Sequence, residues 1–225
     1  MAEDAISWYD DAMSITWPCR LSVASYAALG RSAPAPRPDC AGCSRPMAYD
    51  GRYPRLVREG AVVHRIFVRR VQCRRCGERH ALLPDFVLLR RRDSARAVGA
   101  AVLGALDVTL PERAAELFGG VSERTVRSWR QRFAARAEEL RQRLDAVALT
   151  WRGELDFPVR DGPTASHRAV EAMGRAWRAA KRRPLADVPA PWQLANVIIG
   201  SQLIYTRVDL PWPIRPSTIG RSRAP

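Results

Sequence analysis

Lysine is almost missing from this chain: Lys181 is the only one among 37 Lys and Arg residues, so its basic charge is carried by guanidinium groups. A GC-rich coding sequence accounts for that ratio as well as selection does. It does not account for a formal net charge of +14 and an isoelectric point near 10.9. An excess of this size favours a polyanionic partner over a small acidic substrate. Basic residues are missing from residues 1–17, which hold Glu3, Asp4, Asp10 and Asp11. A secretory leader needs a positive start before an apolar core, so none is expected. Long apolar runs are missing too. Residues 194–205 are apolar but interrupted by Asn196, Ser201 and Gln202, well short of the ~18 residues of a membrane span. A cytoplasmic location without a membrane partner is the expectation.

Clustered carboxylates are also lacking. Beyond residue 150 the acids are Glu154, Asp156, Asp161, Glu171, Asp187 and Asp209. No series of strands gathers them, as a two-metal phosphoryl-transfer centre requires. A nuclease or transposase activity is therefore not expected, nor any other catalysis. What remains is a chain of 225 residues, 47% hydrophobic, enough for one or two domains with a modest core.

Cysteine is scarce but placed. Four of the five form two C-x-x-C pairs, Cys40-Ala-Gly-Cys43 and Cys73-Arg-Arg-Cys76, with 29 residues between them. In a reducing compartment such pairs point to a metal rather than to disulfides. Each C-x-x-C turn presents two thiolates to one ion, and two turns complete a tetrahedron. One structural Zn2+ on Cys40, Cys43, Cys73 and Cys76 is the reading. Four thiolates leave no open position for catalysis. His80, four residues beyond Cys76, is the alternative ligand, while His64 and His167 read as ordinary polar positions. Gly77 follows the second knuckle, where a left-handed backbone is often needed; Ser44 stands at the matching place in the first. Cys19 reads as a buried free thiol.

The fold class expected is α+β: a small β zinc ribbon, then a mostly helical helix-turn-helix region and C-terminal helices. Residues 1–37 are an N-terminal segment, 38–92 the ribbon and a basic connector, 93–150 a helix-turn-helix with an extended third helix, 151–206 a C-terminal helical region and 207–225 a disordered basic tail. Within the ribbon, Glu59-Gly60 supplies a hairpin turn. Residues 81–92 read as connector, because Pro84 disfavours helix. Asp93 or Ser94 caps a helix to about Leu106. Pro111–Phe118 forms a second helix ended by Gly119-Gly120. Ser122 caps a third from Glu123 to near Ala148, with Val126, Trp129, Phe133, Ala137, Leu140, Leu144 and Val147 on its apolar face. Its far end reads as packed within the chain or as a short coiled-coil extension, which leaves a homodimer possible. A helix over 165–183 buries Val170, Met173 and Trp177, and a last one runs over 192–205.

The run from Pro111 to Arg130 has the grammar of a DNA-reading motif: a short helix with small residues, a glycine turn, then a capped helix with a polar outer face. Arg124, Arg127, Ser128 and Gln131 lie opposite the apolar stripe and suit base edges. Thr125, Arg130 and Arg132 flank them within reach of phosphate. Residues 51–92 carry twelve arginines against Glu59, Glu78 and Asp85. Arg90, Arg91 and Arg92 read either as a phosphate-tracking arm or as a solvated charge run.

The stretch Arg69-Arg-Val-Gln-Cys73-Arg-Arg-Cys76-Gly-Glu-Arg-His80-Ala-Leu-Leu-Pro84 resembles the ribbon of a bacterial family of unassigned function, related in plan to transposase N-terminal regions. Thr125-Val-Arg-Ser-Trp-Arg130 and Pro191-Trp-Gln-Leu-Ala-Asn196 are similar to the same family, and the likeness spans most of residues 15–206. It implies a zinc ribbon joined to a helix-turn-helix, DNA-binding and transposon-like in origin, and implies no reaction. The serine after Cys43 is the departure. The expected function is sequence-specific recognition of double-stranded DNA, in transcriptional regulation or at mobile-element ends. The alternatives are a protein-interaction adaptor using the ribbon, Trp177, Trp192 and the last helix, or the remnant of a transposase.

Overall fold

In a computed structural model of the chain, residues 14–106, 115–152, 162–181 and 190–205 are described. The class is α+β, a four-stranded sheet followed by helices. The strands are β1 (Ser14–Trp17), β2 (Ala48–Glu59), β3 (Val62–Gln72) and β4 (Arg79–Pro84), in the spatial order β1-β4-β3-β2. β2 and β3 form the hairpin expected from Glu59-Gly60, with Glu59 opposite Val62 and Leu56 opposite Arg65. Alternation sorts their side chains: Val57, Ile66 and Val68 are buried, while Leu56 and Val63 on the other face are exposed.

Residues 79–84 are a strand where the sequence reading has a connector from 81. β4 pairs antiparallel with β3 and parallel with β1, which sets Ile15 opposite Leu82. Pro84 ends β4, where its missing N–H is tolerated. The N-terminal segment is also part of the sheet layer. α1 (Val23–Ala28), capped by Ser22 accepting from the Ser25 amide, buries Val23 and Tyr26 with Cys19, Ile66, Val68, Leu83 and Phe86. The β1–β4 pairing leaves no local signal, since it joins residues 67 positions apart.

The helices begin at α2 (Ala95–Leu103), where Ser94 is the cap and accepts from the Ala97 amide. Asp93, the other cap candidate, pairs with Arg58 at 2.6 Å instead. Of the predicted second helix, residues 111–114 lie outside the described residues and Ala115–Phe118 forms a single 3₁₀ turn. α3 (Glu123–Arg152) runs 30 residues, past the expected end, and Ser122 Oγ accepts from the Thr125 amide. Its stripe from Val126 to Leu144 is buried as the spacing requires. Ala148, not Val147, continues it.

α4 (Ala165–Ala180) covers that stripe with a face that includes the expected Met173 and is turned from Val170 and Trp177 toward an alanine row. Ala169, Ala172, Met173, Ala176 and Ala179 are buried, while Val170 and Trp177 are half-buried. An alanine row lets the two helix backbones approach closely, and bulkier residues move to its margins. Arg175 is buried among them and donates to Asp145 of α3 at 2.8 and 3.0 Å. α5 (Pro191–Ile198) ends earlier than the sequence suggests. Gly200 and Ser201 turn left-handed, and the Ser201 amide donates to Asn196, the six-to-one bond of a Schellman end. The expected basic tail, 207–225, lies outside the described residues, as do 206 and 1–13.

Trp192 of α5 belongs to the helical core, its ring 5.3 Å from that of Phe133. It lies so close to α2 that a Cβ at Gly99 would stand 2.5 Å from the indole. Gly99→Ala is therefore expected to destabilise the protein by about 1–3 kcal/mol, read as a lowered midpoint in urea. An unchanged midpoint would show that the ring shifts freely. No helix among the described residues is long and apolar enough to cross a membrane.

Sheet and helices are tied by bonds that cross the expected boundary at 92/93. Ser94 Oγ donates to Glu59, the Gly60 amide to Leu117, and the Leu89 amide to Ser201. Asn196 Nδ2 donates to the carbonyls of Asp85 and Val87 at 2.7 and 2.8 Å.

Candidate metal centre and basic helix face

The four C-x-x-C sulfurs converge. Cys40, Cys43, Cys73 and Cys76 place their Sγ atoms within 4.8 Å of one another, and the pairs Cys40–Cys76 and Cys43–Cys73 are each 3.4 Å apart. A tetrahedral Zn–S bond of about 2.3 Å implies sulfur–sulfur edges of about 3.8 Å, so the set fits one such ion. Each of these two contacts joins one knuckle to the other, so the two turns meet around a shared centre.

The two knuckles repeat one backbone design. The Cys40 amide donates to Arg45 and the Ser44 amide to Cys40; the Cys73 amide donates to Glu78 and the Gly77 amide to Cys73. Gly77 is left-handed at φ 78°, and so is Ser44 at φ 54°. The departure at Ser44 thus leaves the turn intact, at the cost of a strained serine. Backbone amides also point at the sulfurs. Those of Cys76 and Arg75 pull the Cys73 thiol down to about 6. The Arg45 amide acts in the same sense on Cys43, and those of Cys43 and Gly42 on Cys40. Both of these thiols are nonetheless raised, Cys40 chiefly by its bond to Glu78 and Cys43 by the Cys73 thiol. Amides aimed at sulfur favour thiolate, the form that binds metal.

The centre rests on a small core of its own, in which Met47, Val71 and Leu82 are buried with Cys40 and Cys73. Cys76 is its exposed member. His80 is outside the cluster and faces the Glu78 carboxylate at 3.9 Å. Burial holds its pKa below the ordinary value. His167 is an ordinary polar residue, joined to Thr164. Cys19 is a free buried thiol, pushed up to about 11 by burial.

The arginines divide into two groups. On α3, Arg124, Arg127 and Gln131 are exposed, one helical stripe opposite Val126, Trp129 and Phe133. Arg127 pairs with Glu123 at 2.8 Å, both ends in solvent, an attachment easily exchanged. Thr125 and Ser128 are half-buried, and Ser128 accepts from Arg132 Nε at 3.2 Å. Arg90 and Arg92 are exposed. Arg91 is half-buried, its pKa lowered by burial and then by the adjacent Arg132. The connector and α3 thus bring two cations together that lie 41 positions apart in sequence.

The other group serves the fold. Arg130 donates to the Ala101 carbonyl at the end of α2 at 2.9 Å, so this expected phosphate contact is committed to packing. Arg55 donates to the carbonyls of Leu88 and Arg91, and Arg136 to that of Gln202. Sequence reasoning also passed over Asp85. It is fully buried, accepts from Gln193 Nε2 at 3.2 Å, and its Oδ2 has no hydrogen-bond partner. Its place after Leu82-Leu83-Pro84, in a stretch that reads as a connector, gave no sign of this.

Residues 40–129 match the family model described as "Domain of unknown function (DUF6431)". The matched stretch opens on Cys40 and closes at Trp129 in α3, so it takes in both knuckles and the start of the exposed arginine stripe. No curated protein and no solved structure matches the chain.

Proposed function

We propose that this chain is a DNA-binding protein whose ribbon is held by one structural zinc on Cys40, Cys43, Cys73 and Cys76. In this reading α3 enters the major groove and Arg124, Arg127 and Gln131 read base edges. Arg90, Arg92 and Arg132 lie on phosphates and set the register. The role is regulation of transcription or recognition of mobile-element ends, without catalysis by this chain.

The observation that carries the reading is the stripe on the first turns of α3. It exposes two arginines and a glutamine while the opposite side is locked into the core. A helix so anchored presents its polar face rigidly, as base readout requires. Net charge alone carries less weight, because Arg55, Arg130, Arg136 and Arg175 are spent on internal partners.

The experiment is a duplex-binding titration with the zinc-loaded protein, first on random sequence and then on selected duplexes. Arg124→Ala, Arg127→Ala and Gln131→Ala are each expected to cost about 1–3 kcal/mol on the selected site, a loss of roughly 5- to 150-fold. Arg92→Ala should weaken all sequences alike and lower the salt slope by about one. No binding even at low salt would sink the reading in favour of a protein-interaction adaptor.

A further inference from the structure

Glu78 brings a carboxylate to a centre that already has four sulfurs. Its Oε2 lies 3.1 Å from Cys40 Sγ and 4.0 Å from Cys76 Sγ, beside the edge those two sulfurs share. The second knuckle fixes the backbone that carries it, since the Glu78 carbonyl accepts from the Cys73 amide. In the first knuckle Arg45 holds the matching position and accepts from Cys40, so only one of the two turns offers an anion.

Four thiolates around a divalent cation leave a net charge of 2−. In the structure the Cys40 thiol donates to this carboxylate; beside two thiolates it would be repelled by them and held by the ion. Carboxylate oxygen is itself an ordinary zinc ligand. The ligands differ in exposure as well. Cys40 and Cys73 are buried, Cys43 is half-buried and Cys76 is open to solvent. The exposed sulfur is on the edge beside Glu78.

We propose that Glu78 is a reserve ligand. When Cys76 leaves the ion, the Glu78 carboxylate takes its position, and the centre passes from four sulfurs to three sulfurs and one oxygen. In the loaded protein Cys76 would give up its bond to the ion and, as a free thiolate, take a proton from water and release hydroxide, while the Glu78 carboxylate would supply the oxygen in its place. No electron is transferred, and the charge on the ion's ligand set is unchanged. The proposal rests on the zinc reading above. It gives that centre a means of freeing one thiol without releasing its metal. Cys43 and Cys73 have no such substitute, because Glu78 lies by the opposite pair.

The test is metal binding by the full chain, with Co2+ as a spectroscopic probe and Zn2+ in competition. Wild type should bind one equivalent with the visible spectrum of a tetrahedral four-sulfur site. Cys76→Ala should still bind one, with the spectrum moved toward three sulfurs and one oxygen and with regained strand signal in circular dichroism. Cys76→Ala/Glu78→Gln should bind at least tenfold more weakly than Cys76→Ala. Adding Glu78→Gln to Cys43→Ala should change nothing further. Equal affinity for Cys76→Ala with and without Glu78 would overturn the proposal, since water would then be the substitute. So would failure of both to bind or fold with metal. A wild-type protein that takes up no metal would overturn the zinc reading and this proposal together.

Discussion

Stripping zinc from the loaded protein with a strong chelator is expected to melt the knuckle end of the sheet while the helical core stays folded. Structural four-cysteine sites contribute on the order of 10 kcal/mol of binding free energy, which in small ribbons is folding free energy. The fully buried core around this centre is small. Its buried core is Met47, Val71 and Leu82 with Cys40 and Cys73, edged by half-buried Ile15, Trp17, Ala35 and Tyr49, and a handful of backbone bonds holds each knuckle. The helical core does not depend on the centre, since Trp129, Phe133, Leu140, Leu144, Met173 and Trp192 form one cluster that contains no ligand. Hydrogen exchange should therefore lose protection over residues 38–50 and 70–80 and keep it in α3 and α4. Cys73→Ala should reproduce the pattern, and elemental analysis of the native protein should return one zinc per chain. Knuckles that remain protected without metal would refute the structural role.

Asp85→Asn is expected to stabilise the protein at neutral and alkaline pH, which is unusual for a change at a buried site. Burial raises the Asp85 carboxyl from 3.8 to about 7, despite amides of Cys19 and Phe86 and the Gln193 side chain aimed at it. Above its ordinary pKa the unfolded chain releases this proton while the folded chain retains it. Stability therefore falls as pH rises from about 4 to about 7, and is flat beyond. The shift corresponds to at most about 4 kcal/mol. The Cys19 thiol, which interacts with Asp85, remains neutral across this window. Asparagine keeps an oxygen for Gln193 and carries no charge. Wild type and variant should match near pH 4 and diverge steadily to pH 7, read as urea midpoints with zinc in excess. Titration of the metal ligands is common to both proteins and drops out of the difference. A variant no more stable than wild type at pH 8 would mean that the carboxylate is solvated in the folded state. Asp85 also sits where Asn196 grips the neighbouring carbonyls, so its charge loads the joint between sheet and α5.

Features that depend on neighbours in the chain were legible in the residues. The C-x-x-C turns bring two sulfurs together through four residues. Ser94 and Ser122 cap the helices that follow them within three residues. The stripe from Val126 to Leu144 needs only the helical repeat. The turn after Glu59 likewise follows from the strands on either side. Each rests on interactions a few positions long, so spacing and residue type suffice.

What required the folded chain was the choice among equivalent candidates. The helical repeat sets Arg127 on the outer face of α3 and Arg130 on its flank, but gives no sign that Arg130 is bound to Ala101. Nor did the pattern say that Pro84 would end a strand beside residue 17, or that Asp85 would meet Gln193. Backbone carbonyls capture guanidinium groups wherever packing leaves them unsatisfied, and those carbonyls come from elements dozens of positions away. Composition could state that the chain is rich in positive charge. Only packing decided which of those charges are consumed within the fold and which remain at its surface for a partner, because burial is a property of the assembled elements and not of any one of them.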